Sequence, residues 1–174
     1  MKIPSEILYM GAGFALIALS ASAGALAIGD KITLENTGDY DYRGSDYALG
    51  IRSNNPGNIE RKDHTNWLGQ VESDGRYIVF SDVRYGIRAM ARVLNSYSLR
   101  GVNTVNEIIS TWAPEEDDNN TTAYIYSVSA RSGLTPLASI SKENYPALIE
   151  AMIYHENGAQ PLDMATIEEG IKLA

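Results

Sequence analysis

The sequence predicts a mainly helical α+β chain, in which an N-terminal transmembrane helix precedes one helical domain carrying a single small hairpin or sheet. Three observations carry that expectation. Residues 7–28 hold no charged side chain, apolar stripes at helical spacing recur beyond residue 83, and Ser73-Asp74-Gly75 separates two short alternating runs. A length of 174 residues suits one ordinary domain and a short appendage.

The first element is the uncharged run Ile7 to Ile28. As a helix it would extend about 33 Å, enough to cross the hydrocarbon core of a bilayer. Gly11, Gly13, Ala15, Ser20, Ser22 and Gly24 would give it small faces for a second membrane helix. A removable signal peptide competes with the anchor, since Ala-x-Ala-like sites occur between Ser20 and Ala27. Against it, a signal's apolar region is shorter and its leading region positive, whereas Glu6 offsets Lys2 here. The chain is thus expected to divide into an anchor at 1–28, a linker at 29–50 and a folded domain at 51–174. The linker is polar, Gly-punctuated and rich in Asp and Tyr, with a short strand at Ile32 to Leu34. This arrangement implies a single-pass protein in lipid contact through residues 7–28, its C-terminal domain outside the bilayer.

Within the domain, Asn54-Asn55-Pro56-Gly57-Asn58 reads as turn chemistry. The hairpin follows, and then four helices. Asp82 caps a helix from Val83 to Tyr97, with Ile87, Met90, Ala91 and Leu94 on one face. Thr104-Val105-Asn106-Glu107 has capping-box form and opens a helix that Pro114 ends. A third helix is expected from Thr122 to Ser132, stopping at Gly133. The fourth, capped by Ser141, runs from Lys142 to Glu156 with Tyr145, Leu148, Ile149, Met152 and Ile153 as one stripe.

Charge and composition narrow the function. Lys and Arg number 14 against 22 Asp and Glu, a formal charge of -8, so phosphate neutralisation is no driving force and nucleic acid is not an expected partner. There is no Cys and only His64 and His155 supply imidazole, which leaves no ligand set for a zinc amidase or endopeptidase. No metal or cofactor is expected. A Ser-His-Asp hydrolase would lack even its Gly-x-Ser-x-Gly turn.

The fourth helix carries the sharpest candidate. Its apolar stripe, extended by three or four residues, lands on Glu156, directly before Asn157-Gly158. A carboxyl at the boundary of core and solvent can keep its proton and serve as a general acid. The alternative is a helix-end Glu pointing to water.

Three segments resemble lysozyme-like enzymes. Ala147 to Pro161, ALIEAMIYHENGAQP, resembles the helix of lytic transglycosylases that ends in the catalytic Glu, with Asn157 where Ser is usual. Asn54 to Ile59, followed by Trp67-Leu68-Gly69, is similar to the Asn-Asn element of flagellar-type glucosaminidases. Thr122-Ala123-Tyr124-Ile125 looks like the late helix whose Tyr lines the sugar cleft. From Arg52 to Ala174 the chain also resembles phage virion lysins that degrade peptidoglycan. One departure stands out: in the cellular enzymes the Glu helix precedes the Asn-Asn element, so kinship with them would require circular permutation.

The resemblance implies a lysozyme-like domain that binds peptidoglycan glycan strands and cleaves them, with Glu156 as catalytic acid. Glu72, in the hairpin, would be a second catalytic carboxylate in a hydrolase, with Glu60 in reserve. Asn54, Asn55, Asn58, Tyr124 and Trp67 would bind substrate, whereas the register of Trp112 points to core packing. His155 is not paired with Glu156, because adjacent helix residues point about 100 degrees apart. The expected function is a membrane-anchored, virion-associated lytic transglycosylase that opens the cell wall for genome entry or lysis. The alternative is an inactive lysozyme-like structural protein or sugar-binding module, in contact with other virion membrane or capsid proteins.

Overall fold

The computed structural model describes residues 25–28, 31–34, 40–62, 65–73 and 75–174. The chain divides into two units, residues 1–37 and 38–174. In the first, β1 (Ala25–Ile28) pairs antiparallel with β2 (Lys31–Leu34), Ala25 opposite Leu34 and Ile28 opposite Lys31. This corrects the expected transmembrane helix. The last four residues of the uncharged run are strand, and among the described residues no helix is long and apolar enough to cross a membrane. Absence of charge says nothing about helix propensity, and Ile32 and Thr33 supply a β-branched partner strand for Ala-Leu-Ala-Ile. Residues 7–24 lie outside the described residues. The single-pass location and the lipid contact drawn from that helix lose their basis with it.

The second unit is mainly helical. It begins with α1 (Leu49–Arg52) and a hairpin of β3 (Gln70–Ser73) and β4 (Ile78–Phe80). The hairpin pairs Gln70 with Phe80 and Ser73 with Ile78, with a register shift between Gln70 and Glu72. Five helices follow: α2 (Val83–Ser98), α3 (Val105–Trp112), α4 (Thr121–Ser132), α5 (Tyr145–Asn157) and α6 (Met164–Lys172). Local chemistry accounts for their ends. Asp82 accepts from the Arg84 amide, Thr104 and Glu107 form the capping box, and Asn120 accepts from the Ala123 amide. Gly133 and Gly158 close α4 and α5 in the left-handed conformation. Ser141 caps a short 3-10 turn, Lys142–Asn144, and α5 starts after it with Pro146 in its first turn. The sequence reading had no helix at 164–172, although Asp163 caps it through the Thr166 amide.

Helix α5 is the hub of the core. Leu148, Ile149, Met152 and Ile153 are fully buried, each worth roughly 1.5–3 kcal/mol on leaving water. Helices α4 and α6 pack against it, and α2 packs against α6. Arg84 on α2 is buried and paired with Asp82 at 2.6 Å and with Glu169 of α6 at 3.2 Å. A guanidinium removed from water needs such partners. Gly86 brings α2 against the Asn54 turn: a Cβ there would lie 2.2 Å from the Asn54 carbonyl oxygen.

The expected linker at 29–50 is not a free tether from residue 40 onward. Tyr40 and Tyr42 pack against the core, and the Arg84 guanidinium carbon lies 3.8 Å from the centre of the Tyr40 ring. The Tyr42 amide donates to Asn54 Oδ1 at 2.8 Å, and Asn54 Nδ2 donates to Asp41 Oδ1 at 2.8 Å. Arg43 hydrogen bonds hold the Asp41 carboxyl at about 2, below its ordinary 3.8, with burial opposing them. A depressed carboxyl stabilises the fold above its ordinary pKa and loses that contribution as pH falls through the depressed one. Hydrogen-exchange protection of the Tyr42 amide is expected to fall between pH 4 and about 2, ahead of the Ile149 amide in the core, and Asp41→Ala should bring that loss to neutral pH.

Candidate active site

The carboxylate of Glu156 is held by three donors from three different segments. Trp112 Nε1 and the Tyr124 hydroxyl donate to Oε1 at 3.0 and 2.8 Å, and Asn58 Nδ2 donates to Oε2 at 2.9 Å. Glu156 occupies the last turn of α5, Trp112 ends α3, Tyr124 lies in the first turn of α4, and Asn58 closes the turn after α1. Each donor has a local reason for its place. Asn58 adopts φ 49°, a left-handed conformation that Asn tolerates better than most residues. Thr121 Oγ1 donates to the Ala113 carbonyl at 2.6 Å, joining the start of α4 to the end of α3 and so setting Trp112 beside Tyr124.

Tyr124 is buried, with its ring stacked on that of His155 at 3.8 Å between centroids and 17° between planes. Burial first, and then the Glu156 charge and hydrogen bond, push the phenol well above its ordinary value, so it stays a protonated donor. Among the described residues, Oε2 takes one donor, Asn58, which leaves it lone-pair capacity for a ligand hydroxyl.

The carboxylate lines a cleft of about 790 Å³, together with Asn58, Trp67, Trp112, Glu60 and one face of α2. Asn157, the next residue, faces the fold. Its Nδ2 donates to the Pro56 carbonyl at 2.8 Å and to the Ile153 carbonyl at 2.9 Å, pinning the Asn turn to the end of α5. A Cβ at Gly50 would come within 2.4 Å of Asn157 Oδ1 and 2.6 Å of Asn58 Oδ1, so only a glycine lets α1 approach this seam.

The expected site residues therefore separate. Glu156, Asn58 and Trp67 share the cleft. Asn54 and Asn55 are fully buried and act on the backbone instead. Asn54 Nδ2 donates to the Phe80 carbonyl at 3.0 Å, and Asn55 spans the Ile59 amide and the Ile78 carbonyl. Neither side chain is among those that line the cleft. Tyr124 is buried as well, and its hydroxyl holds the Glu156 carboxylate. Glu72 lies in β3 opposite Val79, and its side chain lies outside the described residues. Glu60 reaches the cleft but is tied to Arg76 at 2.7 Å. Trp112 packs against the core, as its register predicts, and also lines the cleft. The signal was available, because an indole N–H at a helix end needs an acceptor. His155 stacks on Tyr124, whose hydroxyl donates to Glu156.

No protein-family model matches the chain. Protein P5 of Pseudoalteromonas phage PM2 is 37% identical over 130 residues, covering 72% of this chain and 81% of the phage protein. The chain belongs to the family of phage protein P5. P5 kinship supplies a phage setting, and the likeness to lytic transglycosylases and glucosaminidases rests on the three motifs.

In this P5-family protein, burial lowers the pKa of His155 from its ordinary 6.5, against the pull of the Glu156 charge. A base depressed in the fold costs stability as pH falls through its ordinary value towards the depressed one. His155→Phe keeps the stack and removes the titration. Its Tm should therefore fall less than that of the parent between pH 7 and pH 5, as read by thermal denaturation.

Proposed function

We propose that this P5-family protein is a phage-encoded murein glycosidase with lytic transglycosylase chemistry and Glu156 as its acid. The observation that carries this reading is the three-donor cradle holding one carboxylate in an open cleft, at the position where the helix motif resembles the catalytic Glu. A cradle of this kind preorganises a reacting group and spares it reorganisation during the reaction.

The chemistry follows from that one carboxyl group. Protonated on Oε2, Glu156 gives its proton to the glycosidic oxygen as the bond to the muramic acid C1 breaks, leaving an oxocarbenium-like centre. The resulting carboxylate takes the proton of the muramic acid C6 hydroxyl as that oxygen attacks C1. A 1,6-anhydro ring closes, the proton returns to Glu156, and no water is consumed. A hydrolase of the two-carboxylate type would need a second carboxylate in action, and Glu60, within the same cleft, is engaged by Arg76. In a phage such chemistry would open the wall for genome entry or lysis, on the particle or from within the cell.

Mass spectrometry of purified murein digested by the full chain tests the reading. The parent should yield anhydro-muramyl ends, and Glu156→Gln should lose at least about 10²-fold in turnover with an unchanged circular dichroism spectrum. Reducing ends would replace the transglycosylase step with hydrolysis. Absence of any product from a folded parent would leave a structural or sugar-binding protein.

A further inference from the structure

The cleft departs from the charge of the molecule that contains it. Among the described residues, Lys62, Arg76, Arg92 and Arg100 line it against Glu60, Asp117 and Glu156, in a chain whose net charge is -8. Arg76 is neutralised by Glu60. Arg92 and Ser96 stand one turn apart on α2 and Arg100 lies two residues beyond its end, and the three exposed residues line one wall of the cleft.

Among the described residues, no Asp or Glu side chain forms an ion pair with Arg92 or Arg100. Arg92 donates to the Ala174 main-chain oxygen at 3.2 Å, and Arg100 donates to the Ser96 carbonyl at 3.2 Å with its guanidinium carbon 5.0 Å from the Tyr97 ring centre. Arg88, one turn before Arg92, is held below its ordinary value by burial and then by the Arg92 charge. Like charges one turn apart destabilise a helix, and Arg88 and Arg92 stand at that spacing on α2.

We infer that the Arg92–Ser96–Arg100 ridge is an anion subsite that takes the carboxylates of the peptide stem borne by the muramic acid of the glycan. This rests on the murein reading of the cleft. The sugars of a peptide-bearing strand are neutral, and its stems carry free carboxylates beside the backbone that the cleft would hold. A guanidinium fork matches a carboxylate in two parallel hydrogen bonds, while the Ser96 hydroxyl between them donates to the Val93 carbonyl at 2.7 Å. The ridge would thus select strands that still carry their peptides, and turn strand polarity into a defined register over Glu156.

The test measures equilibrium binding to the full chain carrying Glu156→Gln, which prevents turnover. Two probes are used: purified glycan strands with intact stems, and the same strands stripped of stems by an amidase and then converted to the amide at the lactyl carboxylate that the stripping exposes. Stem-bearing strands should bind roughly tenfold more tightly, with the difference shrinking in high salt. Adding Arg92→Gln and Arg100→Gln should bring the ratio of the two affinities close to one. Equal affinity of the ridge-intact protein for both probes overturns the subsite and leaves the glycan reading standing. A ratio that survives the double substitution overturns it too. Binding of neither probe overturns the glycan reading and the subsite with it.

Discussion

The seam between the last turn of α5 and the Asn turn before the hairpin is the constraint on which the site depends. Asn157 grips the Pro56 carbonyl across 101 residues of sequence, and Asn58 reaches back to Glu156 across 98. These two bonds run in opposite directions between the same two segments. One orients the helix end from the loop and the other orients the loop from the helix end. The amide of Asn157 spans a gap that a shorter hydroxyl side chain would leave open. Among the described residues, the buried Asn157 Oδ1 has no hydrogen-bond partner, and it lies where a Cβ on Gly50 would come within 2.4 Å. The seam retains that cost because the other half of the amide is indispensable.

Around the seam, the fold supplies rigidity from the core side and openness from the solvent side. Leu148 to Ile153 anchor α5 in apolar contacts, so the helix end that carries Glu156 cannot drift without disturbing the packed core. Tyr124 extends the core up to the carboxylate, with His155 stacked on its ring. Trp112 and Asn58 then complete the cradle from the cleft side. A carboxylate in this setting is positioned before any ligand arrives. The phage kinship and the cradle are independent lines, one from the whole chain and one from a few atoms.

The helices were legible because their signals are local. Asp82, the Thr104 and Glu107 pair, Gly133 and Gly158 each act within one turn of the backbone they terminate, so the sequence contains both partners. The apolar stripe leading to Glu156 was legible for the same reason. The membrane helix failed because an uncharged length is a statement about solvent preference, and Ala25–Ile28 realise it as a strand. Residues 40–48 looked like a tether because their partners, Asn54, Val83 and Arg84, lie beyond any local window.

Sequence alone determined the helical class, the caps, the turn at Asn54 to Asn58 and the carboxylate at the core boundary, since each depends on neighbours a few residues away. Tertiary structure alone decided which polar residues meet. Asn54 and Asn58 share a turn and the same left-handed backbone, yet one is sealed under Phe80 and the other opens to the cleft. Trp112 and Tyr124 acquire a common acceptor only because α3, α4 and α5 converge there. Hydrogen bonds between such distant residues depend on the packing of whole elements, and no spacing along the chain encodes it.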